Sequence, residues 1–129
     1  MRWLLDTNVA IEVLRGNAAV LARLRARAPG DVGVSAIVMH ELFYGAFRSA
    51  RVEANVARVD GLRFEVAAFE REDARAAGAV RAALATAGAG IGPYDVLIAG
   101  QALARGLTLV THNTHEFGRV EGLRVEDWE

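Results

Sequence analysis

The stretch RWLLDTNVAIEVLRG, residues 2–16, holds one complete unit of the fold. Its apolar run WLLD (3–6) is short and bounded by polar residues, which reads as a buried strand. Segment 7–15 follows with no linker, has helical spacing and stops at Gly16, a residue that commonly ends helices. In an open α/β sheet, ligands bind at the carboxyl ends of the strands. Asp6 therefore stands where chemistry is expected, and the question is what else converges on it.

The same alternation continues along the chain. Apolar runs at VGVS (32–35), RFEVAAF (63–69), LTLVT (107–111) and LRVED (123–127) predict four further strands. Segments 18–27, 36–48, 51–60, 70–87 and 94–105 have helical spacing, several starting at Ser or Pro and ending near Gly. Strands that alternate with helices imply βαβ crossovers. The expected fold class is α/β, a three-layer α/β/α sandwich around a mostly parallel five-stranded sheet. The Gly-rich ATAGAGIGP (85–93) lacks the spacing of a dinucleotide fingerprint and reads as a connection into the next helix. At 129 residues, the expectation is a single domain spanning 1–129.

Composition narrows the chemistry. Hydrophobic residues at 53 % and charged residues at 24 % fit a folded chain rather than a disordered one. No apolar run approaches the ~20 residues of a membrane span, and Asp6 interrupts the N-terminal run, so a cytoplasmic address without membrane contact is expected. There is no Cys, which excludes disulfides, thiolate metal sites and Cys nucleophiles. All fifteen basic residues are Arg. Without Lys there is no P-loop, and no receiver domain of the usual lysine-assisted kind. A formal net charge of −1 creates no global attraction for nucleic acid, so any such binding must rest on a local patch.

Four acids stand at the ends of elements. Asp6 can serve as an ordinary N-cap for the helix that begins DTN, and equally as a site residue. Glu41, in SAIVMHELFYGAF (35–47), shares its helical face with Ile37, Val38, Tyr44 and Gly45. A carboxylate on an apolar face needs an Arg partner, a proton or a cation, because burying it alone costs several kcal/mol, on the order of a lost ion pair. Asp95 lies in the first turn of a helix opened by Pro93, where the helix dipole favours an acid. Glu116 follows the fourth strand in LVTHNTHEFG, beside Thr111, Asn113 and Thr114. His112 and His115 have HxxH spacing, but this short stretch lacks the HExxH order of a zinc helix. Clustered carboxylates repel one another, and a hard divalent cation such as Mg²⁺ or Mn²⁺ is their common remedy. Such a cation supports phosphodiester hydrolysis without Lys, Cys or Ser.

LLDTN, SAIVMHELFYGA and GPYDVLIAGQALARGLTLVTHNTHEFGRVEGLRVEDW resemble, in order and spacing, the successive motifs of the PIN-domain family, and within it the VapC toxins of toxin–antitoxin modules. The resemblance covers essentially the whole chain. It implies that Asp6, Glu41, Asp95 and Glu116 are the catalytic, metal-binding acids, with Thr7, Thr111 and Asn113 as polar residues that orient them or the substrate. Glu121 is a nearby competitor to Glu116. The implied activity is that of a Mg²⁺- or Mn²⁺-dependent endoribonuclease, with structured RNA, notably tRNA, as substrate. The implied consequence is arrest of translation and growth. Implied partners are a VapB-like antitoxin and a second copy in a homodimer.

Phosphate contact falls to Arg, whose guanidinium pairs bidentately with phosphate; the candidates are Arg15, Arg23, Arg25, Arg27, Arg48 and Arg51. Each can also be a solvated helix residue. Phe43, Tyr44 and Phe47 exceed what one helix needs for its own core and suggest an antitoxin or homodimer contact alongside plain packing. The alternative function is a catalytically inactive PIN-like binding module acting through its partner, whose acids merely cap helices and pair with Arg. An Asp-nucleophile phosphatase would want a second Asp at position 8, where Asn8 stands.

Overall fold

The computed structural model describes residues 1–129. Strand β1 (Trp3–Leu5) leads through helices α1 (Thr7–Arg15) and α2 (Ala18–Arg25) and a 3₁₀ turn (Pro29–Asp31) to β2 (Val32–Ser35). Helices α3 (Ala36–Phe47) and α4 (Val52–Asp60) connect to β3 (Glu65–Ala67), and α5 (Arg71–Thr86) and α6 (Pro93–Arg105) to β4 (Thr108–Val110). A four-residue α7 (Thr114–Phe117) precedes β5 (Val125–Glu126). The strands form one sheet in the order β3-β2-β1-β4-β5, every pair parallel. The expected α/β class and five strands are found, and "mostly parallel" becomes wholly parallel, because a helix lies in every connection. The strands are shorter than their apolar runs, and α2 stops at Arg25, two residues before the expected end. α7 was not anticipated; four residues are too few for a helical period to show.

The order reverses direction at β1: the chain first builds outward through β2 and β3, then returns to add β4 on the other side. The carboxyl edge between β1 and β4 is thus a topological switch point, where open α/β sheets leave a crevice. Register sets the details. Leu5 pairs with both Val34 and Val110, so the next residues, Asp6, Ser35 and Thr111, stand at one level along the sheet edge.

The core is apolar and continuous, from Leu4, Leu5, Val34, Leu109 and Val110 of the sheet to Ile98 of α6, Phe117 and Trp128. Each such side chain contributes about 1.5–3 kcal/mol when fully buried. α5 and α6 approach so closely that a Cβ on Gly100 would lie 2.4 Å from Ala77 Cα, so only glycine fits there. Gly106 (φ 63°) ends α6 in the left-handed region and turns the chain into β4.

Two polar assemblies fasten the rim. Arg105 donates to both oxygens of buried Asp73 (3.1 and 2.8 Å) and to the Ala68 carbonyl (2.6 Å), while Gln101 donates to Ala68 at 3.0 Å, joining α5, α6 and the end of β3. Burial pushes the Asp73 carboxyl up, but the Arg105 and Glu70 hydrogen bonds outweigh it and hold the group below its ordinary value. At the other edge the Arg27 guanidinium lies between Trp3 and Trp128, 4.5 and 4.4 Å from their ring centres. Both indole N–H groups donate to Glu126, at 3.0 and 3.2 Å. The end of the chain is thereby clasped to its first strand.

Candidate active site

Asp6 leaves β1 with extended backbone and caps α1, its Oδ1 accepting the Val9 N–H at 2.9 Å. The N-cap reading is therefore correct as far as it goes, but it uses only one oxygen. Oδ2 accepts the Thr111 hydroxyl at 2.5 Å, and Thr111 Oγ1 in turn accepts the Asn113 N–H at 3.0 Å. Asp6 is 3 % exposed, and burial raises its pKa despite these two donors, with Glu129 and Glu41 adding repulsion.

The other acids reach the same crevice from different elements. Ser35 caps α3 by accepting the Ile37 N–H, and one and a half turns later Glu41 accepts the Thr7 hydroxyl at 2.7 Å. Asp95 stands in the first turn of α6, its carboxylate folded toward Gly92. Glu116 lies on α7 and accepts the Asn113 side-chain amide at 2.7 Å. The Asp95 carboxyl is pushed up to about 6, first by burial and then by the negative charges of Asp6, Glu41 and Glu116. Asp95 thus lies near enough to the other three acids to feel their charge. Glu121, by contrast, is exposed beside Arg119 against α5, in a separate cavity.

No Arg or His comes within ion-pair distance of any of the four acids. The Arg partner considered for Glu41 is thus missing, and the crevice is left with a surplus of negative charge. A divalent cation suits this donor set, which is wholly carboxylate oxygen with amide and hydroxyl oxygens beside it. No three of the acids bring their oxygens within 4.8 Å of one another. Thr7 and Asn113 each hold one of the acids, Glu41 and Glu116. Such spacing suits a hard divalent cation that keeps part of its water shell rather than a closed cage.

The histidines diverge: His112 Nδ1 pairs with Asp127 at 3.0 Å, whereas His115 lies against Arg119. The HxxH spacing therefore does not bring two imidazoles together. Among the candidate arginines, Arg27 is taken up by its two indoles. Arg15 lines a cleft with Glu41 between α1, α3 and α4, and so does Arg58, a residue that sequence reasoning missed. Arg58 donates to the Leu14 carbonyl, so its place depends on α4 folding back on α1, which helical spacing does not reveal. That cleft, of about 350 Å³, is floored by Ile11, Leu14, Leu42 and Val59. Elsewhere on α3, Tyr44 and Phe47 are 59 % and 63 % exposed, so neither belongs to the core.

The family model described as PIN domain matches residues 3–123. The chain is 39 % identical over 130 residues to a protein named tRNA(fMet)-specific endonuclease VapC from Shigella flexneri, covering 99 % of this chain and 98 % of the relative. It is 37 % identical over 131 residues to ribonuclease VapC2 of Haemophilus influenzae, with the same coverage of 99 % and 98 %. Among solved structures, the DNA-bound VapBC of Salmonella typhimurium contains a chain that superposes with a TM-score of 0.96 at 39 % identity, covering 100 % of this chain and 99 % of that one. A chain of Rickettsia felis VapBC2, bound to a fragment of promoter DNA, gives 0.94 at 32 % identity over 100 % of both.

Proposed function

The chain belongs to the PIN-domain family, in its VapC branch, and from that premise we propose that it is an endoribonuclease toxin that hydrolyses phosphodiester bonds in tRNA. The observation that carries the reading is the crevice at the switch point, where Asp95 feels the charge of Asp6, Glu41 and Glu116 and none of the four has a basic partner. Asp6, Glu41 and Asp95 would hold Mg²⁺ or Mn²⁺, with Glu116 completing the set. When bound, such a cation neutralises charge on the scissile phosphate and lowers the pKa of an attacking water.

The chain's own residues position the rest. Thr111 and the Val9 amide fix both oxygens of Asp6, so this acid cannot rotate out of the crevice. Thr7 and Asn113 orient Glu41 and Glu116 from neighbouring elements, and Glu116 would accept a proton from the incoming water. Arg15 and Arg58 line the cleft at Glu41, where a substrate phosphate would meet them.

The partner is a VapB-like antitoxin, seated on the cleft between α1, α3 and α4 and on the exposed Tyr44 and Phe47, and the toxin itself works as a homodimer. The support is the family membership together with an apolar floor and two large aromatics left in solvent.

The test is cleavage of a bulk tRNA pool by antitoxin-free protein with Mg²⁺, with Mn²⁺ or with EDTA, beside an Asp6→Ala control purified identically. Metal-dependent cutting absent from the control is expected, and end mapping then locates the site. A folded protein that leaves RNA intact with either metal overturns the reading.

A further inference from the structure

Two aromatic rings each stand next in sequence to one of the acids, and the metal reading leaves both without a role. His40 immediately precedes Glu41, and Tyr94 immediately precedes Asp95. The two rings touch across the gap between α3 and α6, with centroids 5.2 Å apart and planes tilted by 59°. Neither is core: His40 is exposed and Tyr94 is 45 % exposed. Behind Tyr94 a cavity of about 520 Å³ opens between α5 and the start of α6. Its walls include Phe69, Ile91 and Leu97, and Arg81 supplies its one positive charge.

We propose that the His40–Tyr94 pair and the cavity behind it form a subsite for one unstacked nucleobase of the RNA, next to the scissile phosphate. This rests on the endoribonuclease reading above. An aromatic ring in solvent beside an acidic centre offers a face for stacking, which is how proteins hold single-stranded bases that have left their helix. The apolar walls exclude water from the far side of such a base, and a volume of a few hundred Å³ is about that of a small-molecule pocket. Arg81, in the wall of the cavity, offers its guanidinium to the base that enters. Tyr94 precedes Asp95 in the first turn of α6, so a base held by Tyr94 stays within about one nucleotide's reach of the acids. The site then selects RNA loops, whose bases are free to splay, over duplex.

The experiment is a binding cycle in metal-free buffer. Wild type, Tyr94→Ala and Tyr94→Phe are titrated with a fluorescent RNA stem-loop, and with a set of the same stem-loops each lacking one loop base. For wild type, one abasic position should weaken binding roughly five- to a hundredfold, the worth of a stacked base. Tyr94→Ala should bind the intact loop that much more weakly and be indifferent to the same abasic change, while Tyr94→Phe behaves like wild type. Equal sensitivity of wild type and Tyr94→Ala to every abasic position overturns the subsite. A changed sedimentation coefficient for Tyr94→Ala, with all RNAs bound alike, overturns it too and makes Tyr94 a contact between protein copies. Metal-dependent cleavage by wild type is followed in parallel, so failure of the nuclease reading is seen separately from failure of stacking.

Discussion

Thr111 Oγ1 lies 2.5 Å from Asp6 Oδ2, a bond between residues 105 positions apart that sits at the level where β1 and β4 end together. The hydroxyl favours the charged form of a carboxylate that burial would otherwise neutralise. Thr111→Val keeps the shape and removes the donor. The Asp6 pKa should rise further, and Mn²⁺ affinity by calorimetry should fall about 10–100-fold, the usual cost of losing a partner that orients a metal ligand. Unchanged affinity in a variant with native circular dichroism would show that the hydroxyl serves only the fold.

Asp95 makes stability depend on pH with a sign that is easily mistaken. Its ordinary pKa is 3.8 and the folded value is about 6. Between these values the unfolded chain has released its proton while the folded chain still holds it, so stability falls as pH rises through this window. Asp6, also raised, acts in the same direction. The EDTA-treated protein should therefore melt at a lower temperature at pH 7 than at pH 5.5, and Asp95→Asn should shrink that difference and raise the Tm at pH 7. Adding Mn²⁺ at pH 7 should raise the wild-type Tm and leave Asp95→Asn nearly unmoved. Equal pH dependence in the two proteins would count against the shared-charge account.

Phe47 is exposed on α3, so its truncation costs the isolated protein little. Phe47→Ala should keep the Tm within about 2 °C of wild type, as expected of a surface change. On the proposed docking surface it should weaken binding of the cognate antitoxin by more than about tenfold, a typical loss for an aromatic anchor. A lowered Tm with undiminished antitoxin affinity would assign Phe47 to packing.

Arg105 answers the buried charge of Asp73 through two hydrogen bonds. Arg105→Ala leaves that carboxylate without its partner, and urea unfolding should report a loss of roughly 2–3 kcal/mol, reduced from a fully buried pair because Arg105 reaches solvent. Arg105→Lys should recover only part, since an ammonium cannot meet both oxygens. A loss below about 0.5 kcal/mol, the level of a surface pair, would contradict the assigned role.

Much of this was readable from sequence because it is local. Asp6, Ser35 and Asp95 each stand where one element hands over to the next, and capping residues, Pro93 and Gly106 mark those joints chemically. Glu41 could be singled out by its apolar helical neighbours, and the absence of an Arg partner emerged only from the ion pairs of the folded chain. Spacing does not separate Glu116 from Glu121; the α7 turn, too short to announce itself, carries one beside Asn113 and leaves the other against α5. Arg27 looked like any surface arginine of a helix until two tryptophans from opposite ends of the sequence closed on it. The contact of His40 with Tyr94 likewise depends on how α3 meets α6.

The central position of β1 governs when the protein comes alive. This strand is synthesised long before one of its two neighbours, β4, which ends at Val110, and its clasp to Trp128 comes later still. A half-made chain carries Asp6 and Glu41 but lacks Asp95, Thr111 and Glu116. Contacts so distant in sequence form late, because closing long loops costs entropy before any packing repays it. On the proposed function, a chain that has not yet added β4 and α7 to its fold has no complete set of acids and cuts nothing.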